Sequence, residues 1–155
     1  SGVTRYRVNT EEWMMYDRKK PSYWAFEKGV YMEQFDSIFN VEASIKADTA
    51  YYYDKERLWK LIGNVDIQNR KGERFNTELL YWNEATQKVY SDKFIRIQQP
   101  DRIITGHGFD SNQQMTIYTI RNIEGIFYVD EEASSGPPQP ETKALPDSVN
   151  KDTAK

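Results

Sequence analysis

The chain has 155 residues, a net charge of −3 and no cysteine. This length suits a single domain with a real hydrophobic core. The mildly acidic charge lacks the basic footprint of a nucleic-acid-binding protein, and the absence of cysteine excludes disulfides, thiolate metal sites and cysteine nucleophiles. No stretch approaches the roughly 18 consecutive apolar residues of a membrane-spanning helix.

Short strands are predicted in the first part of the chain, where no segment shows the apolar stripe of an amphipathic helix. They cover residues 6–8, 12–16, 23–26 and 30–35, and polar loops join them. Aromatic residues make up 14% of the sequence. Because aromatic side chains favour half-buried pleated surfaces, they support the assignment of strands.

Period-two alternation of apolar and polar residues dominates the middle of the chain. It runs through residues 41–48, 59–67 and 74–81. Asn69-Arg70-Lys71-Gly72 separates the last two segments and has the composition of a hairpin loop, with glycine available for a left-handed position. The pattern predicts antiparallel strands that turn one face toward an apolar interior.

The alternation continues in shorter segments to residue 129. Strands are predicted at residues 94–97, 103–109, 115–121 and 123–129, with a brief link at Asn122. Short strands joined by short polar loops predict an all-β antiparallel domain over residues 1–130. Residues 131–155 contain four prolines and few apolar side chains, so they are expected to form a disordered tail.

The alternation also assigns one face of each strand to the interior. A one-residue error in register would turn a whole set outward. The residues expected to point inward are Val41, Ala43, Ile45, Trp59, Leu61, Val65, Ile67, Phe75, Leu79 and Ile117.

A weak internal repeat is visible at a spacing of about 30 residues, within the range of stacked repeat units. Residues 47–52 resemble residues 77–82, and residues 106–109 occupy the next matching place. The repeat suggests that equivalent strands recur along one sheet.

Few residues are candidates for catalysis. His107 is the only histidine, and its place between two glycines on a predicted strand favours a surface position over a catalytic or ligand role. The carboxylates are scattered over loops, and none is marked as half of a glycosidase pair. The runs Tyr51-Tyr52-Tyr53 and Tyr81-Trp82 fit core rows of a sheet better than carbohydrate-stacking platforms. We therefore expect no catalytic residue, no metal site and no cofactor.

Three segments taken in order give a more specific signal. A tyrosine-rich strand at residues 47–54 precedes Leu61-Ile62-Gly63-Asn64-Val65, and Thr77-Glu78 with Tyr81-Trp82 follows. A strand of leucine, any residue, Gly-Asn-Val in this setting is the hallmark of the LptC family. The chain resembles that family most strongly over residues 41–129.

The resemblance implies an all-β fold, a twisted open antiparallel β-jelly roll whose halves clasp a greasy groove. It also implies transport rather than catalysis. The LptC family takes lipopolysaccharide from an inner-membrane ABC transporter with LptF-like and LptG-like subunits and passes it to LptA, a periplasmic bridge protein of the same fold. The expected partners are these proteins and lipopolysaccharide, without nucleic acid. The expected location is the periplasm, with an inner-membrane anchor that would lie outside this chain.

Two sites are expected on this basis. The inward-facing residues named above, together with Tyr81, would line the lipid-binding groove. The last strand would be a free edge to which a partner sheet adds, since the proline-rich segment after it cannot continue a hydrogen-bonded ladder. The residues assigned to this docking edge are Ile123, Ile126, Phe127, Tyr128 and Val129.

Three alternatives stay open at the level of sequence. One is a soluble bridge protein of the LptA type, which shares the fold. Another is a carbohydrate-binding β-sandwich, which the tyrosine and tryptophan content favours. The third is a β-fold hydrolase, which the lone His107 and the lack of a nucleophile motif disfavour.

Overall fold

Eleven β-strands and no helix make up residues 5–129, the part of the chain that the computed structural model describes. Their pairings are all antiparallel, so the predicted all-β antiparallel fold is confirmed. The tail predicted over residues 131–155 lies outside the described residues. The strands are β1 (Arg5–Thr10), β2 (Met14–Tyr16), β3 (Tyr23–Phe26), β4 (Val30–Phe35), β5 (Val41–Ala47), β6 (Thr49–Tyr53), β7 (Leu58–Asn69), β8 (Arg74–Asn83), β9 (Lys88–Gln99), β10 (Arg102–Asn112) and β11 (Tyr118–Tyr128).

All of these strands belong to one open sheet. Neighbours run in the order β1-β4-β5-β7-β8-β9-β10-β11, and a shorter branch, β2-β3-β6, joins β7 as well. The first part of β7, from Leu58 to Ile62, pairs with β6, whereas Asp66 to Asn69 pair with β5. The long strands therefore cross two regions of the sheet, which we call the β6 half and the β5 half.

The long strands break register where the two halves meet. The β7–β8 ladder shifts between Ile62 and Val65, and the β8–β9 ladder shifts between Thr77 and Tyr81. The ladder between β9 and β10 shifts next to His107. Because a bulge increases local twist and bends its strand, bulges at one level in adjacent strands bend the whole sheet.

The bend packs the β6 half against the β5 half around one apolar core. Leu61 from the β6 half and Ile67 from the β5 half are both 0% exposed. Across the fold, the rings of Phe75 and Phe109 lie 5.7 Å apart. Burying a side chain of this size stabilises the fold by about 1.5–3 kcal/mol, so the core fixes the two halves against each other.

Glycine is required at position 63 of the bend for two reasons. Its φ is +87°, in the left-handed region, and a Cβ at this position would lie 2.9 Å from Oδ2 of Asp48. The backbone N–H of Asp48 donates to the carbonyl of Gly63 at 2.9 Å, and Nδ2 of Asn64 donates to Oδ2 of Asp48 at 2.8 Å. Asp48 thus ties the junction of β5 and β6 to the bulge in β7.

Gly63→Ala is expected to destabilise the fold more than Gly72→Ala. Gly72 also has a positive φ, +83°, but no atom lies within 4 Å of the place of its Cβ. In both variants, alanine in a left-handed conformation should lower the free energy of unfolding by about 1 kcal/mol. In Gly63→Ala, overpacking against Asp48 should lower it by roughly 1–3 kcal/mol more. Urea unfolding of both variants measures the difference, and equal losses would show that the approach of Asp48 to the bulge is unimportant.

Candidate functional site

The interior between the two halves is the site that the family resemblance assigned to lipid, with lining residues predicted from sequence alternation. Seven of the ten residues predicted to face inward are buried there. They are Ala43, Ile45, Trp59, Leu61, Val65, Ile67 and Phe75. In β7 the prediction is correct on both sides of the bulge because Gly63 and Asn64 add an even number of residues, which preserves the alternation.

Val41 and Ile117 do not face inward, and these two predictions are wrong. Val41 is 45% exposed, since the β4–β5 ladder shifts between Val41 and Ala43 and separates Val41 from the inward face of β5. Ile117 is 76% exposed and belongs to a turn in which the side-chain oxygen of Asn112 accepts hydrogen bonds from the N–H groups of Thr116 and Ile117. The strand begins one residue later, so Tyr118 turns inward instead.

Leu79 and Tyr81 lie on the outer face of β8, so the inward prediction for Leu79 and the assignment of Tyr81 to the same face are wrong. Thr77 and then Leu80 and Trp82 are buried, so the bulge in β8 shifts the alternation by one residue. Tyr81 stacks on Tyr90 on the outer face, with ring centroids 5.3 Å apart. Leu80 was missed, although its spacing of two residues from Trp82 was a usable signal.

Aromatic side chains fill the interior of the β6 half. The Tyr52 ring lies 4.6 Å from that of Trp59, and the Trp59 ring lies 6.3 Å from that of Trp82. Tyr6 of β1 contacts Trp82 from the β5 half, with ring centroids 5.5 Å apart. The interpretation of Tyr52 and Trp82 as core residues is confirmed, and their rings give the interior one wide apolar wall.

The Glu84 carboxylate is the shared partner of three polar groups at the margin of these aromatic rings. Its carboxylate accepts hydrogen bonds from the Tyr52 hydroxyl at 2.9 Å and from Nε1 of Trp59 at 3.2 Å, and Nε of Arg57 lies 3.7 Å away. Burial, and then the hydrogen bond to Glu84, raises the pKa of Tyr52 to about 12. Burial and the same carboxylate also raise the pKa of Tyr6. Both phenols therefore stay neutral donors at physiological pH.

Tyr118 closes the opposite margin of the interior. Its ring contacts Phe75 and Phe109, at centroid distances of 5.1 and 5.8 Å. Its hydroxyl donates to Glu73 at 3.3 Å and accepts from Nε2 of Gln99 at 2.7 Å. These interactions are side-chain contacts, so this margin is closed without a backbone ladder.

The strand predicted at residues 123–129 is part of a longer one. β11 runs without interruption from Tyr118 to Tyr128, so the predicted link at Asn122 is wrong. It pairs with β10 and ends the strand order of the described residues. Ile123, Ile126 and Tyr128 are 58%, 44% and 71% exposed; Phe127 and Val129 are partly buried. The edge position is as predicted, and three of its exposed side chains are apolar or aromatic.

Equivalent positions of the internal repeat lie at the bend of the sheet. Its three segments place Asp48, Glu78 and His107 at the level of the bulges, where all three are exposed on the outer face. His107 has the predicted surface position, with Nδ1 in contact with the Glu124 carboxylate and its ring 5.5 Å from that of Phe94. Within residues 5–129, no group of three or more potential metal-binding side chains comes together.

The family comparison supports the same assignment as the sequence motifs. Residues 4–128 match the family model described as "LptC: Lipopolysaccharide-assembly, LptC-related", whereas no curated protein matched the chain. Over the described part of the chain, there is no helix with the length and apolarity needed to cross a bilayer. Since the family match spans nearly all of the folded sheet, the chain belongs to the LptC-related family of lipopolysaccharide-assembly proteins and is a periplasmic component of lipopolysaccharide transport.

Proposed function

We propose that the protein binds lipopolysaccharide by holding its acyl chains between the β6 half and the β5 half. The observation that carries this proposal is the open sheet. Among the described strands, β1 and β11 end the strand order and do not pair with each other. The two halves can therefore separate by giving up side-chain contacts, without breaking a backbone ladder.

The composition of the interior favours acyl chains as the ligand. Leu61, Ile67, Ile95 and Phe109 present hydrocarbon surface and are 0% exposed. A cavity of about 10 Å³ beside Tyr6 is too small for an acyl chain, so binding at that place requires the halves to move apart. Each CH₂ group that leaves water contributes about 0.8 kcal/mol. Acyl chains would cover the same side chains that separation exposes, which offsets its cost.

The margin closed by Tyr118 is the place where separation requires the fewest changes. β11 is held by a ladder on one side only. Displacing Tyr118 breaks its contacts with Phe75 and Phe109 and its hydrogen bonds to Glu73 and Gln99. Local opening of a packed structure favours elements with few buried contacts, and β11 fits that description.

The free edge of β11 is where we propose that the next protein of the pathway docks. An edge strand presents unpaired N–H and C=O groups, and a sheet of the same fold can add to them. The exposed side chains of Ile123, Ile126 and Tyr128 would add apolar contact to the backbone hydrogen bonds. An LptA-like bridge protein is the partner that family membership favours for this edge.

In this scheme the protein receives lipopolysaccharide from the inner-membrane ABC transporter with LptF-like and LptG-like subunits. The direction of transfer would come from ATP use by the transporter, since passive apolar binding favours neither direction. An anchor at the inner membrane would keep the protein next to its donor. Membership of the LptC family favours this transporter-side role over that of a soluble bridge protein.

Photo-crosslinking from an inward position tests the lipid site. Tyr118 replaced by p-benzoylphenylalanine keeps a large aromatic side chain at the margin of the interior. Ultraviolet irradiation of cells that carry this variant is expected to give a lipopolysaccharide adduct, detected with an antibody to lipopolysaccharide after electrophoresis.

The matched control is the same replacement at Tyr31, which lies 38% exposed on the outer face of β4. It should give little or no adduct. Failure of Tyr118, and also of the inward-facing Ile120, to capture lipopolysaccharide in a folded protein would contradict binding between the halves.

Proline substitution in β11 tests the docking edge. Successive N–H groups of an antiparallel edge strand point alternately toward its neighbour and outward, so one of Phe127→Pro and Tyr128→Pro removes an outward donor. That variant is expected to weaken binding of a purified LptA-like protein by about tenfold, the effect of roughly 1.4 kcal/mol, with little change in thermal stability. Surface plasmon resonance and thermal unfolding measure the two effects.

Ile38→Ser serves as the control for this experiment, since Ile38 is 73% exposed and lies away from β11. It should leave partner binding unchanged. If neither proline variant affects binding while both remain folded, the partner docks at another surface.

A further inference from the structure

An open groove runs along the outer face of the bend, on the opposite side of the sheet from the core. Its volume is about 1040 Å³, and residues from β5, β7, β8, β9 and β10 line it. Exposed side chains at the level of the bulges, among them Asn64, Glu78 and His107, form its middle. A volume of this size matches the upper range of clefts that bind organic ligands, so the groove has room for more than a single ion.

Cationic side chains in the groove have no anionic partner. Lys46, Lys60 and Lys93 line it, and within residues 5–129 none of these ammonium groups forms an ion pair. Nε of Arg96 is buried and has no hydrogen-bond partner among the described residues. Burial, and then the nearby Arg74, lowers the pKa of Arg96. A buried donor without an acceptor is costly, and no anionic group within the described residues compensates this part of the guanidinium.

The carboxylates of the groove, in contrast, are already engaged. Asp48 accepts from the amide of Asn64 at 2.8 Å, and Glu78 accepts from the backbone N–H of Asn64 at 3.3 Å. Asp66 forms an ion pair with Arg74 at 2.6 Å. Each of these carboxylates therefore has a local partner, while the lining sets four cationic side chains, Lys46, Lys60, Lys93 and Arg96, against three carboxylates.

Apolar side chains lie between these polar groups. Ile62 and Leu79 face each other across β7 and β8, and Phe94 is 45% exposed with its ring against His107. An aromatic ring at an exposed position buries the C–H face of a flat ligand while polar neighbours bind its substituents. Sugar rings combine such a face with hydroxyl groups, whereas a bare acyl chain would leave the cations unpaired.

We propose that the outer groove binds an anionic oligosaccharide, with its phosphate groups held by Lys46, Lys60, Lys93 and Arg96 and a sugar ring placed against Phe94. The phosphorylated sugar portion of lipopolysaccharide has this chemistry. The groove is separate from the interior, and its occupancy does not depend on acyl chains binding between the halves.

Lipopolysaccharide freed of its acyl chains is the probe that tests this site, because it keeps the phosphorylated sugars and cannot fill an apolar interior. Titration into the ¹⁵N-labelled full chain is expected to shift amide signals around Phe94 and Glu78 in a salt-sensitive way. The double variant Lys60→Gln/Lys93→Gln should raise the Kd at least about tenfold, since hydrogen bonds to charged groups are removed. The parent protein should bind dephosphorylated oligosaccharide as weakly as the double variant binds the phosphorylated one.

The control is Lys55→Gln/Lys88→Gln, which removes the same net charge from two exposed lysines outside the groove, and it should bind like the parent protein. Equal affinity of the groove variant and the parent, or shifts confined to another face, would overturn the proposal. So would binding of intact lipopolysaccharide only, which would assign recognition to the acyl chains. Crosslinking from Tyr118 is read separately, so loss of interior binding with retained oligosaccharide binding would contradict only the function proposed above.

Discussion

The fold depends on a line of bulges that crosses the long strands at one level. Without them, β7 to β10 would form an extended sheet with its apolar face in water. The bulges bring the β6 half onto the β5 half, and Leu61 and Ile67 then meet in one core although both belong to β7. Asp48, Gly63 and Asn64 fix the bend by hydrogen bonds and close contact. The conformation of a few residues therefore determines whether the apolar face is buried.

The same bend gives the sheet two surfaces with different chemistry. Inside it, aliphatic and aromatic side chains face each other and fit the acyl chains of a lipid. Outside it, Lys60, Lys93 and Arg96 surround a groove whose carboxylates are already engaged. Among the described strands, β11 pairs with β10 alone, and its other edge is the place that we propose for a partner. Under the proposals made above, one amphipathic sheet would hold a lipid chain, an anionic sugar and another protein at separate places.

Alternation in the sequence was sufficient to predict an antiparallel all-β fold and the inward face of β7, and the Gly63-Asn64 motif pointed to the family. Alternation predicted the wrong inward residues where a bulge or turn shifted the inward-outward pattern by one residue. The bulge in β8 placed Leu80 rather than Leu79 inside, and the turn held by Asn112 exposed Ile117. Bulges and side-chain-capped turns depend on long-range packing, which a two-residue period does not encode. The outer groove was missed for the same reason, since it exists only after the sheet bends.

Binding of acyl chains between the halves is tested most directly by nuclear Overhauser effects between lipopolysaccharide and isoleucine methyl groups. The chain offers inward probes at Ile67 and Ile95 and outward probes at Ile62 and Ile117. With methyl-labelled protein and detergent-dispersed lipopolysaccharide, we expect acyl methylene protons to show contacts with Ile67 and Ile95. Contacts confined to Ile62 and Ile117, with the inward methyl signals unchanged at saturation, would contradict lipid binding inside the folded sheet.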